Sequence, residues 1–179
     1  MTLRIVSGLF KGRVLKSPKN MRPTLSSVRA AVFNICKDYI EKANFLDLFA
    51  GSGAIGLEAI SRGALSATLV ENSAKSLQCI RENICSLGVE KQVEVIRKDA
   101  LAYLANTPKS FTIIYIDPPY MEKKLLEKCL IYLSEKPWIQ EKGLLFIEEG
   151  EKNSHRLANL TLYDQKKFGD SFLSIFQKK

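Results

Sequence analysis

The chain predicts an α/β fold: a doubly wound, mostly parallel sheet of seven strands that ends in an antiparallel C-terminal hairpin and follows a small basic N-terminal arm. Two patterns carry this expectation. From residue 45 to 147, short apolar β-prone runs alternate with helical stretches, as in strands joined by crossover helices with helices on both sheet faces. The tail departs from that alternation: Leu160–Tyr163 and Phe172–Phe176 flank a turn at Gly169-Asp170 and read as an antiparallel pair on one sheet edge. With 179 residues and 46% apolar content there is material for a core of ordinary domain size. The expected division is an arm at 1–22 and a main domain at 23–179.

The elements follow in order. Residues 3–16 offer apolar anchors (Leu3, Ile5, Val6, Leu9, Phe10, Val14, Leu15) broken by Gly8 and Gly12, and suggest a small hairpin or extended arm. Pro23-Thr24 opens a helix with Thr24 as N-cap, and Val28, Ala31, Val32 and Ile35 share one face. Phe45–Ala50 is a strand, Gly51-Ser52-Gly53 a tight turn, and 54–62 a helix stopped by Gly63. Ala67–Glu71 is the second strand; 73–87 is a helix ended by Gly88. Val93–Ile96 is the third strand, followed by Asp99 and a short helix to Asn106. Phe111–Ile116 is the fourth strand. Residues 122–134 form a helix with Leu125, Leu126, Cys129, Leu130 and Leu133 inward, and Gly143–Ile147 is the fifth strand.

Composition narrows the function. No apolar run approaches membrane-span length, and the first residues show no secretory pattern, so a cytoplasmic protein is expected. Cys36, Cys79, Cys85 and Cys129 lack C-x-x-C spacing, and His155 is the single histidine. A metal site, a disulfide framework and a His-based triad therefore have little support. Cys79, Cys85, Trp138 and His155 read as structural or incidental. The net charge of +8 is concentrated: residues 1–37 carry eight basic side chains and no acid, and the remainder balances. Such a block suits a phosphate backbone.

The chemistry concentrates at strand ends. Open sheets of this class bind ligands at the carboxyl ends of their strands, and there stand Asp47, Glu71, Asp99 and Asp117. Asp117-Pro118-Pro119-Tyr120 is the most specific stretch. Proline lacks an N–H and pushes its predecessor to extended backbone, leaving the Asp117 carboxylate and the Pro118 carbonyl as two acceptors in a stiff frame. With the Tyr120 ring beside them, they suit a planar ring bearing an exocyclic NH2. Gly51-Ser52-Gly53-Ala54-Ile55-Gly56 is a G-x-G-x-x-G pattern, which alone suggests a pyrophosphate on a helix N-terminus. Asp47 beside it would repel phosphate and favour an ammonium group, so S-adenosylmethionine fits better than a dinucleotide. Asp47, Phe49, Gly51 and Gly53 would surround its amino-acid end, Glu71 its ribose hydroxyls and Asp99 its adenine amine.

These motifs resemble those of class I methyltransferases acting on exocyclic amines. More narrowly, the chain resembles the bacterial 16S ribosomal RNA guanine-N2 methyltransferase D family. The likeness is carried by Arg4-Ile5 with Gly8, Lys11-Gly12-Arg13, Arg22-Pro23-Thr24, Val28-Arg29, Phe33-Asn34, the Phe49–Gly56 turn, Asp117–Tyr120 and Lys167-Phe168-Gly169. Ser7 stands where the family usually has a second glycine, and Ala30 where an acid is common. The resemblance implies methyl transfer from S-adenosylmethionine to the N2 amine of a guanine in 16S ribosomal RNA, within an assembling small subunit, by a monomer. Asp117, Pro118 and Tyr120 would be catalytic, and Arg4, Lys11, Arg13, Arg22 and Arg29 would meet RNA. Alternatives at this point are an adenine-N6 DNA methyltransferase, an NAD-dependent oxidoreductase and a non-catalytic RNA-binding assembly factor.

Overall fold

The computed structural model describes residues 2–19, 26–106, 109–119 and 122–178; Pro23, Thr24, Arg22 and Tyr120 lie outside them. The elements are α1 (Ser26–Ile35), β1 (Asn44–Asp47), α2 (Ala54–Ser61), β2 (Ser66–Glu71), α3 (Ala74–Leu87), β3 (Val93–Arg97), α4 (Ala100–Asn106), β4 (Phe111–Ile116), α5 (Lys123–Glu135), β5 (Ile139–Glu149), β6 (Leu160–Phe168) and β7 (Ser171–Lys178). They build one seven-stranded sheet in the order β3-β2-β1-β4-β5-β7-β6. β1 to β5 pair in parallel, and β7 is antiparallel to β5 and β6. The expected terminal hairpin is thus present at one edge. The chain reverses its direction of growth between β1 and β4, which places a crevice at their carboxyl ends.

Alternate residues of each central strand face opposite layers. Ile113 and Tyr115 join a core with Phe33, Phe45, Leu57, Leu69, Ile80 and Phe146, under α1, α2 and α3. Ile114 and Ile116 join the other, with Leu104, Leu126, Leu130, Trp138 and Leu145, under α4 and α5. α3 is set by local chemistry: the Ser73 side chain accepts the Ser76 N–H at its start, and Gly88 closes it in the left-handed region at φ 69°. α2 is buried on every side, since the sheet lies beneath it and the arm above. Gly56 lets it settle on β2, because a Cβ there would fall 2.2 Å from Leu69 Cδ2.

The arm is a hairpin rather than a tail. Arg4 and Val14 form an antiparallel bridge, with Ile5 N–H donating to the Arg13 carbonyl at 3.0 Å and Leu15 N–H to that of Leu3 at 2.9 Å. Its hold on the body comes from polar groups of α2 and α3. Glu58, fully buried, accepts the N–H groups of Val6 at 2.7 Å and Ser7 at 2.9 Å. The Ser61 carbonyl accepts Leu9 N–H at 2.7 Å, and its hydroxyl donates to the Ser7 carbonyl at 2.6 Å. Gly8 is needed at this contact: its φ is +83°, and a Cβ would sit 1.8 Å from the Ser61 carbonyl oxygen.

Several details differ from expectation; β1, for one, ends at Asp47 and not at Ala50. β5 begins at Ile139, four residues before Gly143, because its early part carries polar residues and an irregular step against β4 between Phe111 and Ile113. Leu125 is only half-buried, whereas Leu126, Cys129, Leu130 and Leu133 face inward. Among the described residues, no helix is long and apolar enough to cross a membrane. The cysteines are free thiols, and burial pushes those of Cys36 and Cys129 up to about 12.

Candidate active site

A cleft of about 460 Å³ opens at the carboxyl ends of the central strands, lined among others by Asp47, Phe49, Gly51, Glu71, Asp99, Asp117 and Pro118. The sheet brings these separated residues together. β1 and β4 are neighbours with Asp47 opposite Tyr115, so Asp117 emerges two residues beyond that pair. β2 lies on the other side of β1, with Leu69 opposite Asp47, and Glu71 leaves the sheet two residues farther on. Asp99 follows β3 and accepts the Ala102 N–H at 2.8 Å, capping the first turn of α4. Of the sequence-read cofactor residues, Gly53 alone lies outside the lining. It is buried beneath the turn at φ 79° as the N-cap of α2.

The carboxylates differ in state. Asp47 is 1% exposed, and neither of its oxygens has a hydrogen-bond partner at bonding geometry. Burial drives its carboxyl up to about 7; the backbone N–H groups of Gly56 and Phe49 pull the other way, and the charge of Glu71 pushes further up. A buried carboxylate whose nearest N–H groups fall short of bonding geometry, beside a glycine turn, can receive a hydrogen-bonding cation. Glu71 is already engaged. It accepts Gly51 N–H at 2.8 Å on one oxygen, and Asn72 and Ser73 N–H at 2.9 and 2.8 Å on the other. Three of roughly four lone-pair positions are thereby used on the protein's own backbone, so Glu71 shapes the glycine turn as well as facing the cleft.

The structure adds residues that the sequence reading did not single out. Tyr115, Glu148, Ser171, Leu3 and Lys98 also line the cleft. The Tyr115 hydroxyl, buried, donates to Glu148 Oε2. Burial, then the charges of Asp117, Glu148 and Asp47, hold this phenol well above its ordinary range, so it remains a donor. Glu148 had a signal, since like Asp117 it directly follows an apolar run, but it lacks the two prolines that single Asp117 out.

The basic arm is partly as expected. Arg4, Lys11 and Arg13 are exposed on the hairpin, with Arg4 Nη1 donating to the Gly12 carbonyl at 2.9 Å and Arg13 Nη2 to that of Ser86 at 2.5 Å. Arg29 departs from a surface phosphate contact. It is 5% exposed, donates from Nη2 to the Arg4 carbonyl at 2.9 Å, and lines the cleft. Its place on the inward face of α1 made it a strut between helix and arm. No cluster of metal-ligating side chains occurs among the described residues.

Comparison with known proteins agrees with this architecture. The model of a family described as conserved hypothetical protein 95 matches residues 3–177. The chain is 40% identical over 166 residues to ribosomal RNA small subunit methyltransferase D of Buchnera aphidicola from Acyrthosiphon pisum, covering 90% of this chain and 86% of that one. It is 33% identical over 181 residues to the protein of the same name from Escherichia coli K12, covering 99% and 90%. A solved structure of a candidate methyltransferase from Escherichia coli, yhhF, superposes with a TM-score of 0.89 at 32% identity, covering 100% of this chain and 99% of that one.

Proposed function

Because the chain belongs to the ribosomal RNA small subunit methyltransferase D family, we propose that it transfers a methyl group from S-adenosylmethionine to the exocyclic N2 amine of a guanine in 16S ribosomal RNA. The observation that carries this reading is the juxtaposition of Asp117 and Pro118 with Asp47, Glu71 and Asp99 in one cleft. An acceptor pair for an amine thereby shares a wall with an acidic, glycine-turned site for a cationic adenosyl ligand. The substrate is a partly assembled small subunit in the cytoplasm, and the working unit is a monomer.

The residues fit the cofactor. Asp47, buried and short of partners, takes the ammonium of the amino-acid end. The Gly51 turn admits close backbone approach, Glu71 takes the ribose, and Asp99 the adenine amine. When bound, S-adenosylmethionine supplies an electrophilic methyl carbon on a sulfonium. The chain's task is then positioning. The N2 lone pair of guanine is delocalised into the ring and nucleophilically poor. The Asp117 carboxylate and the Pro118 carbonyl accept its two N–H groups, favour a more tetrahedral nitrogen and aim its lone pair at the methyl carbon. As the C–N bond forms and the C–S bond breaks, the nitrogen becomes acidic, and Asp117 is the adjacent acceptor for its proton. Tyr120 stacks on the base. A guanine held within a helix swings out first, at a cost of about a few kcal/mol. Arg4, Lys11, Arg13 and Arg22 meet RNA phosphates, with Arg29 behind them supporting the arm.

The test is incubation with labelled S-adenosylmethionine and RNA or subunits from cells lacking the modification, followed by mass spectrometry of the nucleosides. N2-methylguanosine is the expected product. Label in N6-methyladenosine, or none in any nucleoside, rejects the reading.

A further inference from the structure

Strand register places a second carboxylate next to Asp117. β4 and β5 are parallel, with Ile116 opposite Ile147, so one step farther Asp117, just past the end of β4, lies beside Glu148, which is still within β5 and opposite Leu173 of β7. Glu148 is 5% exposed and borders two hollows. One is the cleft described above. The other, of about 750 Å³, lies between the start of α5 and the segment after β5. The two share Asp117, Pro118, Pro119, Glu122, Leu125 and Glu148. The proposed amine acceptors therefore sit where the hollows join, and Glu148 stands at the same junction.

Glu148 is also held. Tyr115, two residues before Asp117 on the same strand, donates its hydroxyl to Glu148 Oε2. The phenol's inability to ionise near neutrality keeps this a one-way bond, from hydroxyl to carboxylate. The pairing fixes where one oxygen of the carboxylate points, in a group with about four lone-pair positions in all.

The chemistry of the base edge completes the argument. Along guanine's pairing edge, the N2 amine is followed directly by the N1–H, a second donor. A site that accepts the amine on Asp117 and Pro118 meets N1 next. An acceptor there is satisfied by guanine. A base with an unprotonated N1 turns a lone pair toward it and leaves the buried carboxylate opposed by another acceptor. Resting on the function proposed above, we propose that Glu148 is the specificity residue that reads the N1–H of the substrate guanine, with Tyr115 as its positioning residue. Asp117 then acts on the reacting nitrogen, and Glu148 decides which bases may present one.

The experiment uses the full chain and partly assembled small subunits whose RNA is joined from two strands. At the methylated position the RNA carries either guanine or 2,6-diaminopurine, which keeps the 2-amino group but has an unprotonated N1. Wild-type protein should favour guanine in kcat/KM by at least about tenfold. Glu148→Gln, whose carboxamide can donate to N1, should narrow or reverse that ratio; Tyr115→Phe should narrow it less. S-adenosylhomocysteine affinity should be unchanged in both variants, which separates base reading from general damage. Equal use of the two RNAs by the wild type overturns the assignment, whether or not the variants fold. So does a wild-type ratio retained by Glu148→Gln. Methylation of neither RNA by the wild type overturns the proposed function, and this assignment with it.

Discussion

The side chain of Asn83 bonds to both backbone groups of Lys16: its Oδ1 accepts the Lys16 N–H at 2.7 Å, and its Nδ2 donates to the Lys16 carbonyl at 2.9 Å. The same Nδ2 donates to the carbonyl of Ser52 at 3.0 Å. One amide, 1% exposed, therefore ties the end of the basic hairpin to the glycine turn beside the cleft. Asn83→Asp keeps the shape but removes the donor and turns an oxygen toward two carbonyls. It should destabilise the protein by about 1–3 kcal/mol, read as a lower denaturation midpoint at an unchanged denaturant slope. Stability equal to wild type would show that the bridge does not hold in solution.

Glu58 carries the rest of the arm's attachment. Its buried carboxylate accepts Val6 and Ser7 N–H and Arg62 Nε at 2.9 Å. Glu58→Ala strands these donors and a guanidinium with side-chain exposure of only 19%, which should cost about 3 kcal/mol or more. Amide exchange gives the local readout. Val6 and Ser7 should exchange much faster in the variant, and RNA affinity should fall because the hairpin no longer presents its cations as a rigid unit. Unchanged protection at these two amides would refute the clamp.

What the sequence revealed follows from how local each signal is. α3 was legible to within a residue because Ser73 and Gly88 terminate it by their own chemistry. β4 was legible because six apolar residues run into two prolines. The same strand-end rule collected Asp47, Glu71, Asp99 and Asp117 into one cleft. The arm's clamp was not legible, since Glu58 and Asn83 meet it across 51 or more positions and nothing in a buried helical Glu announces a backbone partner. β6 runs on to Phe168 with mostly exposed polar residues. Its pairing with β7 holds it there, and an edge strand shows no apolar alternation to read. The burial of Arg29 was not legible for a related reason: charge says that a cation needs a partner, not that the partner is a phosphate.

Asp117 and Glu71 should fail in different ways. Asp117→Ala removes the proposed acceptor for the reacting amine, so kcat should fall about a hundredfold or more with little change in S-adenosylhomocysteine affinity. Glu71→Ala frees the N–H groups of Gly51, Asn72 and Ser73 and should weaken cofactor binding at least tenfold while loosening the turn. Calorimetric titration with S-adenosylhomocysteine, alongside single-turnover rates, separates the two. A near-normal rate in Asp117→Ala would sink the proposed mechanism, and an unchanged cofactor Kd in Glu71→Ala would remove that residue from the site.

Asp47 predicts a pH dependence with a definite sign. Its carboxyl is raised from 3.8 unfolded to about 7 folded, chiefly by burial. The folded state therefore holds a proton that the unfolded state has released between those values. The linked stability is fully present below about pH 4 and is lost as pH rises to about 7, amounting to a few kcal/mol at roughly 1.4 kcal/mol per pH unit. Asp47→Asn should flatten this component, so the wild-type minus variant difference should slope downward across that window and level off above it. Cofactor binding runs the other way. An ammonium group favours the ionised carboxylate, so binding below pH 7 must expel the proton, and affinity should rise with pH up to about 7 by as much as tenfold per unit. Titrations in buffers of differing ionisation enthalpy should detect close to one proton released per cofactor bound at pH 6, and almost none in Asp47→Asn. A wild-type affinity that is flat between pH 5.5 and 7.5 would mean that Asp47 does not meet the ammonium.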